Sequence, residues 1–416
     1  MHKNIIINYI SFVFSGIAGV LINIFIVSVY DSTVLGTFNF FMAFLIILSQ
    51  FSVGGLQFSV LKHNSNFMNK LGEVSSSITS ALFLSMFYSC LMICLIYFLA
   101  PILNDIFRLE NFYTSMYIVL PTIFFFSSNK ILLMSLNGLN LMNYYAIFNF
   151  LRYFILLMLV ILFYIFRIDT KYLVSVLFVS ELILFCLLVF FIFYKVFEMK
   201  NPKIRWIKRH FFFGMKSMLG GALMEANTKI DILMIGAFLG YKAVGIYSFA
   251  SMIAEGFAQV YTILKNNVDP LFGNAFFKKD INKINIIISE IRKKYLTYIL
   301  IFAFLIIVFY KLVFIYIFNL DVTMIEESWK VLTLLIVLMS MASFYRPFIG
   351  LLNQINKPEK FSQIILISVL LNIIMNIFLI PIFGIFGAAI STGLVFILES
   401  YLIYKTSFIT LRRVNY

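Results

Sequence analysis

The sequence predicts an all-α integral membrane protein: twelve transmembrane helices in two parallel six-helix bundles around a central cavity. Three observations predict it, namely composition, the alternation of apolar runs with basic connections, and an internal repeat. Of 416 residues, 62% are apolar and 12% charged, and mean hydropathy is +1.00. A soluble domain is nearer half apolar and a quarter charged, so a large water-soluble core is excluded. Twelve spans of about 20 residues each would absorb the apolar content.

Apolar runs separated by polar breaks place the spans at 5–30, 37–61, 76–103, 112–136, 143–166, 171–194, 211–239, 243–264, 295–318, 328–352, 362–382 and 384–406. The first run is longer than a signal-peptide core and reads as a retained helix. The net charge of +14 does not point to nucleic acid, because its basic residues are sorted by connection. Alternate connections, among them 195–210 and 265–294, hold 21 of the 32 Lys and Arg, the others 5, and 6 lie within spans. The positive-inside rule then puts the basic connections and both termini in the cytoplasm. The two long basic stretches would lie along anionic membrane lipids. Short outer connections leave little room for an external catalytic domain or binding lobe.

Two alignments relate the halves. Val34-Leu35-Gly36-Thr37-Phe38-Asn39-Phe40 aligns with Ala243-Val244-Gly245-Ile246-Tyr247-Ser248-Phe249. At a slightly longer offset, Leu136-Asn137-Gly138-Leu139-Asn140 aligns with Leu352-Asn353-Gln354-Ile355-Asn356. Each offset contains an even number of spans, so the halves enter the membrane in the same direction, a parallel-repeat plan with alternating access. The expected bundles are residues 1–200 and 201–416. Gly54-Gly55, Pro121, Gly220-Gly221 and Pro347 are expected bending points within spans two, four, seven and ten.

A cation within the bilayer needs a partner, water or a ligand. Lys130, Arg152, Lys216, Lys229, Lys311 and Arg346 are so placed. With a helical rise of about 1.5 Å per residue, Lys130, Arg152, Lys216 and Arg346 fall in the inner half. The longer of the two offsets carries Lys130 onto Arg346, so the two are expected to line the cavity as a symmetric pair suited to an anion with several oxygens, such as a pyrophosphate. Snorkelling to the inner headgroups is the competing reading. The acids Glu181, Glu225, Asp231, Glu255 and Glu399 share the spans. Glu225 and Lys229 have the spacing of an intrahelical ion pair. Glu181 and Glu255 are candidates for coupling to H+ or Na+, with pairing to Arg152 or Lys216 as the alternative.

No Walker loop, dinucleotide fingerprint or clustered metal spacing occurs, so no enzyme activity, cofactor or resident metal is expected. His2, His63 and His210 read as terminal or inner-loop residues placed by topology or solvation rather than catalysis, and Cys90, Cys94 and Cys186 as core residues.

Phe211-Phe212-Phe213-Gly214, with the stretch from Lys229-Ile230-Asp231 through Gly236 and Gly240 to Gly245-Ile246-Tyr247, resembles Wzx-type polysaccharide flippases. Val34-Leu35-Gly36-Thr37-Phe38 and Gly384-Ile385-Phe386-Gly387-Ala388-Ala389-Ile390-Ser391-Thr392 are similar to other features of that family. These flippases share a superfamily and a fold with the multidrug and toxin extrusion (MATE) proteins. The resemblance spans essentially the whole chain and implies movement of an undecaprenyl-diphosphate-linked oligosaccharide, such as an O-antigen repeat unit for lipopolysaccharide. The direction would be from the inner to the outer leaflet of a bacterial cytoplasmic membrane. On that reading Lys130, Arg152, Lys216 and Arg346 hold the diphosphate, Glu181, Glu255, Glu225 and Asp231 are the ion-coupling candidates, and glycan assembly or polymerase proteins are partners. A MATE-type cation-coupled small-molecule antiporter is the alternative.

Overall fold

The computed structural model describes residues 2–196, 198–278 and 280–414, and within them the side chains of all but 2–13, 15, 195, 224 and 412–414. His2, Lys3, Lys195, Lys279, Arg412 and Arg413, used above for topology, lie outside the described side chains. Every regular element among the described residues is helical, without strand: α1 (His2–Val29), α2 (Ser32–Val53), α3 (Leu56–Asn66), α4 (Leu71–Phe107), α5 (Phe112–Val119), α6 (Thr122–Gly138), α7 (Met142–Ile165) and α8 (Ser175–Phe190). Then follow α9 (Ile204–Leu239), α10 (Tyr241–Phe277), α11 (Ile281–Lys311), α12 (Val322–Met341), α13 (Leu351–Gln354), α14 (Pro358–Phe383) and α15 (Ile385–Val414).

Among the described residues, eight helical segments have the length and apolarity of a membrane span, and the bent pair Val322–Phe344 and Arg346–Gln354 makes a ninth. The other three expected positions fall on α1, α9 and α10. The described apolar part of α1 is the shorter segment Gly16–Val29. α9 and α10 have 36 and 37 residues, but polar and charged side chains dilute their apolar runs.

The chain divides by compactness into Met1–Lys229 and Ile230–Tyr416. The first unit closes around Val53, Leu56, Val60, Val74, Ile78, Ile131, Leu132, Leu136, Leu184 and Leu188. Its α4 contributes Val74, Ile78 and Ala81 at helical spacing, while Phe83, Phe87, Leu91, Leu95, Phe98 and Ile102 of the same helix face outward. So large an outward apolar face belongs against acyl chains. The cysteines follow this logic rather than the core assignment: Cys90, Cys94 and Cys186 are exposed, because in lipid the outer face is as apolar as the interior. The second unit has its own core, with Val268 and Phe272 of α10, Ile284 and Ile288 of α11, and Phe348, Leu351 and Ile403.

Three of the four expected points interrupt their helices. Gly54 and Gly55 take left-handed φ of 54° and 71° between α2 and α3, a conformation glycine adopts without steric cost. A side chain on Gly55 would meet the Gly214 carbonyl and the Ser217 hydroxyl at 2.5 Å, so α9 runs directly against the break. Pro121 sits between α5 and α6. The segment around Pro347 bends by 57° through short 3-10 turns. Gly220-Gly221, by contrast, does not interrupt α9. A Cβ on Gly221 would come within 3.1 Å of the Phe58 ring, so this glycine serves close packing against α3.

Glu73, in the first turn of α4, fastens the start of α9: it accepts from Lys203 Nζ (3.1 Å), Arg205 Nη2 (2.5 Å) and Trp206 Nε1 (2.9 Å). His210 is fully buried beside this junction, between the hydroxyls of Ser59 (2.8 Å) and Ser77 (3.1 Å). That corrects the solvated-loop reading: α9 begins earlier than its apolar run and carries His210 inside.

Asp321 caps α12 from outside the membrane segments, accepting from Met324 N at 2.8 Å and Thr323 Oγ1 at 2.5 Å. The Thr323 hydroxyl first, then the Met324 amide, hold its carboxyl below the usual range. A depressed folded-state value contributes stability that is fully present above the unfolded value of about 3.9 and is lost as pH falls through the folded one. Asp321→Ala is therefore expected to cost about 1 kcal/mol. The check is Tm of the detergent-solubilised protein, lower than natural at neutral pH, with the gap closing in acid.

Candidate functional site

In the first unit, four helices bring polar residues together inside an apolar shell. Lys130 of α6 donates to Ser49 Oγ of α2 at 2.9 Å and lies 5.0 Å from the centre of the Phe126 ring. Arg152 of α7 lies 4.7 Å from the same ring. Its Nη2 donates to Glu181 Oε2 of α8 at 3.0 Å, and its Nε lies 2.8 Å from Oε1. Asn129, next to Lys130, donates to the Glu181 carboxylate and to its main-chain carbonyl, each at 2.8 Å. Glu181 is buried and Arg152 nearly so, with side chains 5% and 15% exposed. Of the two readings open for Glu181, the pairing with Arg152 is the arrangement observed. One residue from Ser49, Gln50 donates to Glu225 Oε1 of α9 at 3.1 Å.

Lys216 is also on α9, but its side chain is exposed, and it makes no hydrogen bond or ion pair with this cluster among the described residues. Lys130 makes no close ion pair among the described residues; Ser49 and the Phe126 face hold it, with the Glu225 and Glu181 charges acting on it from further away.

The second unit holds two polar groups. Arg346 opens a 3-10 turn after α12, its Nη1 2.5 Å from Glu399 Oε1 of α15 and its guanidinium 3.9 Å from the Phe396 ring centre. Asp231, fully within α9 and buried, accepts from Asn376 Nδ2 of α14 at 2.7 Å, Thr392 Oγ1 of α15 at 2.5 Å and the Tyr247 hydroxyl of α10 at 3.1 Å. Asn376 also donates to Asn372 Oδ1 at 3.0 Å, and its own Oδ1 is buried without a partner. Glu255 is half-buried on α10, about two turns from Tyr247.

Within the first unit Lys130, Arg152 and Glu181 come together with Glu225 nearby, and Lys216 stands apart from them; within the second, Arg346 and Asp231 belong to separate groups. Three residues escape the sequence reading as partners. The sequence marks Glu399 only as an intramembrane acid, although Glu181 and Glu399 stand on the last span of each repeat and each meets an arginine. Asn372 and Asn376, four apart in a 26-residue apolar helix, are the available signal for the partners of Asp231. The segments that carry the family resemblance do converge there, supplying Asp231, Tyr247 and Thr392.

The fold defines the class of protein: a polytopic helical membrane protein. The chain is similar to an inward-facing multidrug resistance MATE family transporter of the MOP superfamily (TM-score 0.79, 13% identity, 96% of this chain and 95% of that one). It is similar also to the lipid II flippase MurJ in an inward closed conformation (0.77, 15%, 99% and 92%) and to a MOP superfamily transporter from Pyrococcus furiosus (0.67, 12%, 99% and 95%). The polysaccharide biosynthesis protein family model matches residues 1–268, and the chain belongs to that family. The MatE model matches residues 217–378, and no curated protein matches the chain. Of these neighbours, two are described as transporters and one as a flippase.

Removing Arg152 would strand the buried Glu181 charge. Arg152→Ala is expected to destabilise by about 3–5 kcal/mol, seen as a large fall in Tm or loss of folded protein. Adding Glu181→Gln should recover much of the loss, since the orphaned charge goes with it; a double variant as unstable as the single would refute the ion-pair account.

Proposed function

We propose that the protein moves an undecaprenyl-diphosphate-linked oligosaccharide from the inner to the outer leaflet of a bacterial cytoplasmic membrane by alternating access, with both termini cytoplasmic. The observation that carries the reading is Lys130: an ammonium held inside a helical unit by a neutral hydroxyl and an aromatic face, in a chain of the polysaccharide biosynthesis family. A diphosphate offers that cation the direct charged contact that the more distant Glu225 and Glu181 do not make. Arg152, sharing a carboxylate, would orient ligand oxygens with its remaining donors, and Lys216, exposed on α9, would meet the diphosphate on entry; Arg346 is the second unit's own diphosphate candidate. The isoprenoid stays in lipid. The neighbouring lipid II flippase is a likeness of fold that fits a lipid-linked cargo. Glycan assembly proteins are the partners this reading implies.

Of the acids, Asp231 is best suited to couple transport to H+ or Na+. Its partners are neutral donors and amides, which leaves its charge to be balanced by a proton or a small cation. Glu181 is already balanced by Arg152, while Glu225 and Glu255 remain secondary candidates.

The test is translocation of a lipid-linked oligosaccharide in proteoliposomes, read by lectin access. Lys130→Gln should slow it by about tenfold or more, the scale of one charge-assisted contact, without lowering the amount of folded protein. An unchanged rate would remove the diphosphate role of Lys130. The MatE match over residues 217–378 favours a second reading, a cation-coupled small-molecule antiporter. It takes over if the natural protein moves no lipid-linked oligosaccharide under either ion gradient yet expels cationic dyes.

Coupling has a separate readout. Asp231→Asn should make flux indifferent to imposed Na+ and pH gradients while downhill exchange persists. Acceleration by either gradient in the variant would place the coupling site elsewhere.

A further inference from the structure

At the start of α4 an open cavity of about 500 Å³ is bordered by Lys70, Gly72, Glu73, Ser76, Lys200 and Lys203. Its electrostatics are incomplete. The first amides of a helix point outward without intrahelical acceptors, and the end carries partial positive charge. Here Lys70 is the N-cap and provides no side-chain hydrogen bond. The Glu73 and Val74 amides turn back to the Lys70 carbonyl at 2.9 and 3.1 Å, leaving those of Leu71 and Gly72 as the outward donors. Nothing lies within 4 Å of where a Gly72 side chain would begin.

Cations crowd this positive end instead of the acids that favour it. Glu73 is taken up by Lys203, Arg205 and Trp206, and Lys200 has only the exposed Glu198, at 3.5 Å. Lys70 has no ion pair among the described residues. A second observation is independent of the helix end: Ser76, fully buried and bordering the cavity, has its hydroxyl without a hydrogen-bond partner. Its neighbours are fully used, Ser75 Oγ joining Glu198 O (2.8 Å) and Lys200 N (2.9 Å), and Ser80 Oγ receiving Lys203 N (2.9 Å). These bonds hold the 198–203 stretch across α4 and fix the cavity wall.

We propose that this cavity binds the phosphodiester headgroup of an anionic membrane lipid. The phosphate meets Lys70, Lys200 and the Leu71 and Gly72 amides, with the Ser76 hydroxyl completing the set. Lipid is favoured over soluble phosphate by what adjoins the site. Phe83 and Phe87, about two and about three helical turns beyond Ser76 and so on the same helix face, are large and exposed, giving acyl chains an apolar surface further along α4, past the 198–203 crossing. The site is distinct from Lys130 and does not depend on which cargo the protein carries.

The experiment is thermal unfolding of the purified full-length protein in neutral detergent, titrated with phosphatidylglycerol, phosphatidylcholine or inorganic phosphate. Phosphatidylglycerol should raise Tm of the natural protein, and the other two should not. In Lys70→Gln/Lys200→Gln the apparent affinity for phosphatidylglycerol should fall about tenfold. An equal response of natural protein and variant, or no preference for phosphatidylglycerol over phosphatidylcholine, would overturn the site. A matching response to inorganic phosphate would overturn its assignment to lipid. If the double variant loses its cooperative transition, Ser76→Ala, which breaks no existing hydrogen bond, serves in its place with the same outcomes. Translocation assays of Lys130 variants are unaffected by either result, so this inference and the transport reading fail separately.

Discussion

A carboxylate that cannot reach water must be neutralised where it stands, because an isolated charge in a low-dielectric interior is far costlier than the fold's whole stability. This constraint organises both units. In the first, Glu181 of α8 draws Arg152 of α7 and Asn129 of α6 onto itself, so three successive spans are fixed by one anion. In the second, Glu399 of α15 draws in Arg346 from the bent segment after α12. Each repeat therefore ties its last span to an earlier one through an acid, although the partner residues and local backbone differ. Asp231 meets the constraint another way, through neutral donors from three helices, and this difference separates a group suited to gaining and losing a cation from groups fixed as structure.

Backbone breaks are the second organising element, and they fall where helices must approach closely. The left-handed Gly54-Gly55 pair lets α9 lie against the junction of α2 and α3, where the Gly54 carbonyl occupies the space a Gly214 side chain would need. Ser217 ties the same contact by donating to Gly55 O at 3.3 Å. Membrane helices gain little from burying apolar surface against one another, so close backbone approach and hydrogen bonds hold them together. The small face of α4, with Ser75, Ser77, Ser80 and Ala81 buried, is built on the same principle.

The fold class is legible in the sequence because composition and span length are set by the bilayer itself. Breaks at Gly54-Gly55, Pro121 and Pro347 are legible for a similar reason: left-handed φ and a missing amide are local properties. Gly220-Gly221 misleads because the same residue type also serves close packing, which depends on a neighbour such as Phe58 that is distant in sequence. Partners are harder still. Whether Glu181 is paired depends on the rotation of α7 against α8, which periodicity does not fix, and Glu399 becomes meaningful only once Arg346 stands beside it. His210 reads as solvated because hydropathy averages over a window, whereas its burial is decided by Ser59 and Ser77 on other helices.

The repeat preserves position more faithfully than chemistry. Lys130 and Arg346 occupy offset-equivalent places, yet Lys130 stands in regular helix with a serine for its partner, while Arg346 stands in a 3-10 turn with a buried glutamate. A guanidinium suits the second setting because its planar fork serves Glu399 and Ser400 together, with Ser400 Oγ 3.4 Å away. An ammonium suits the first because a compact charge retains donors after one hydrogen bond to Ser49. Duplication would have supplied two equivalent cations, and the partners each has acquired give them unequal freedom. The cation best able to exchange its present contact for an anionic ligand is the one whose departure strands no carboxylate, and that is Lys130.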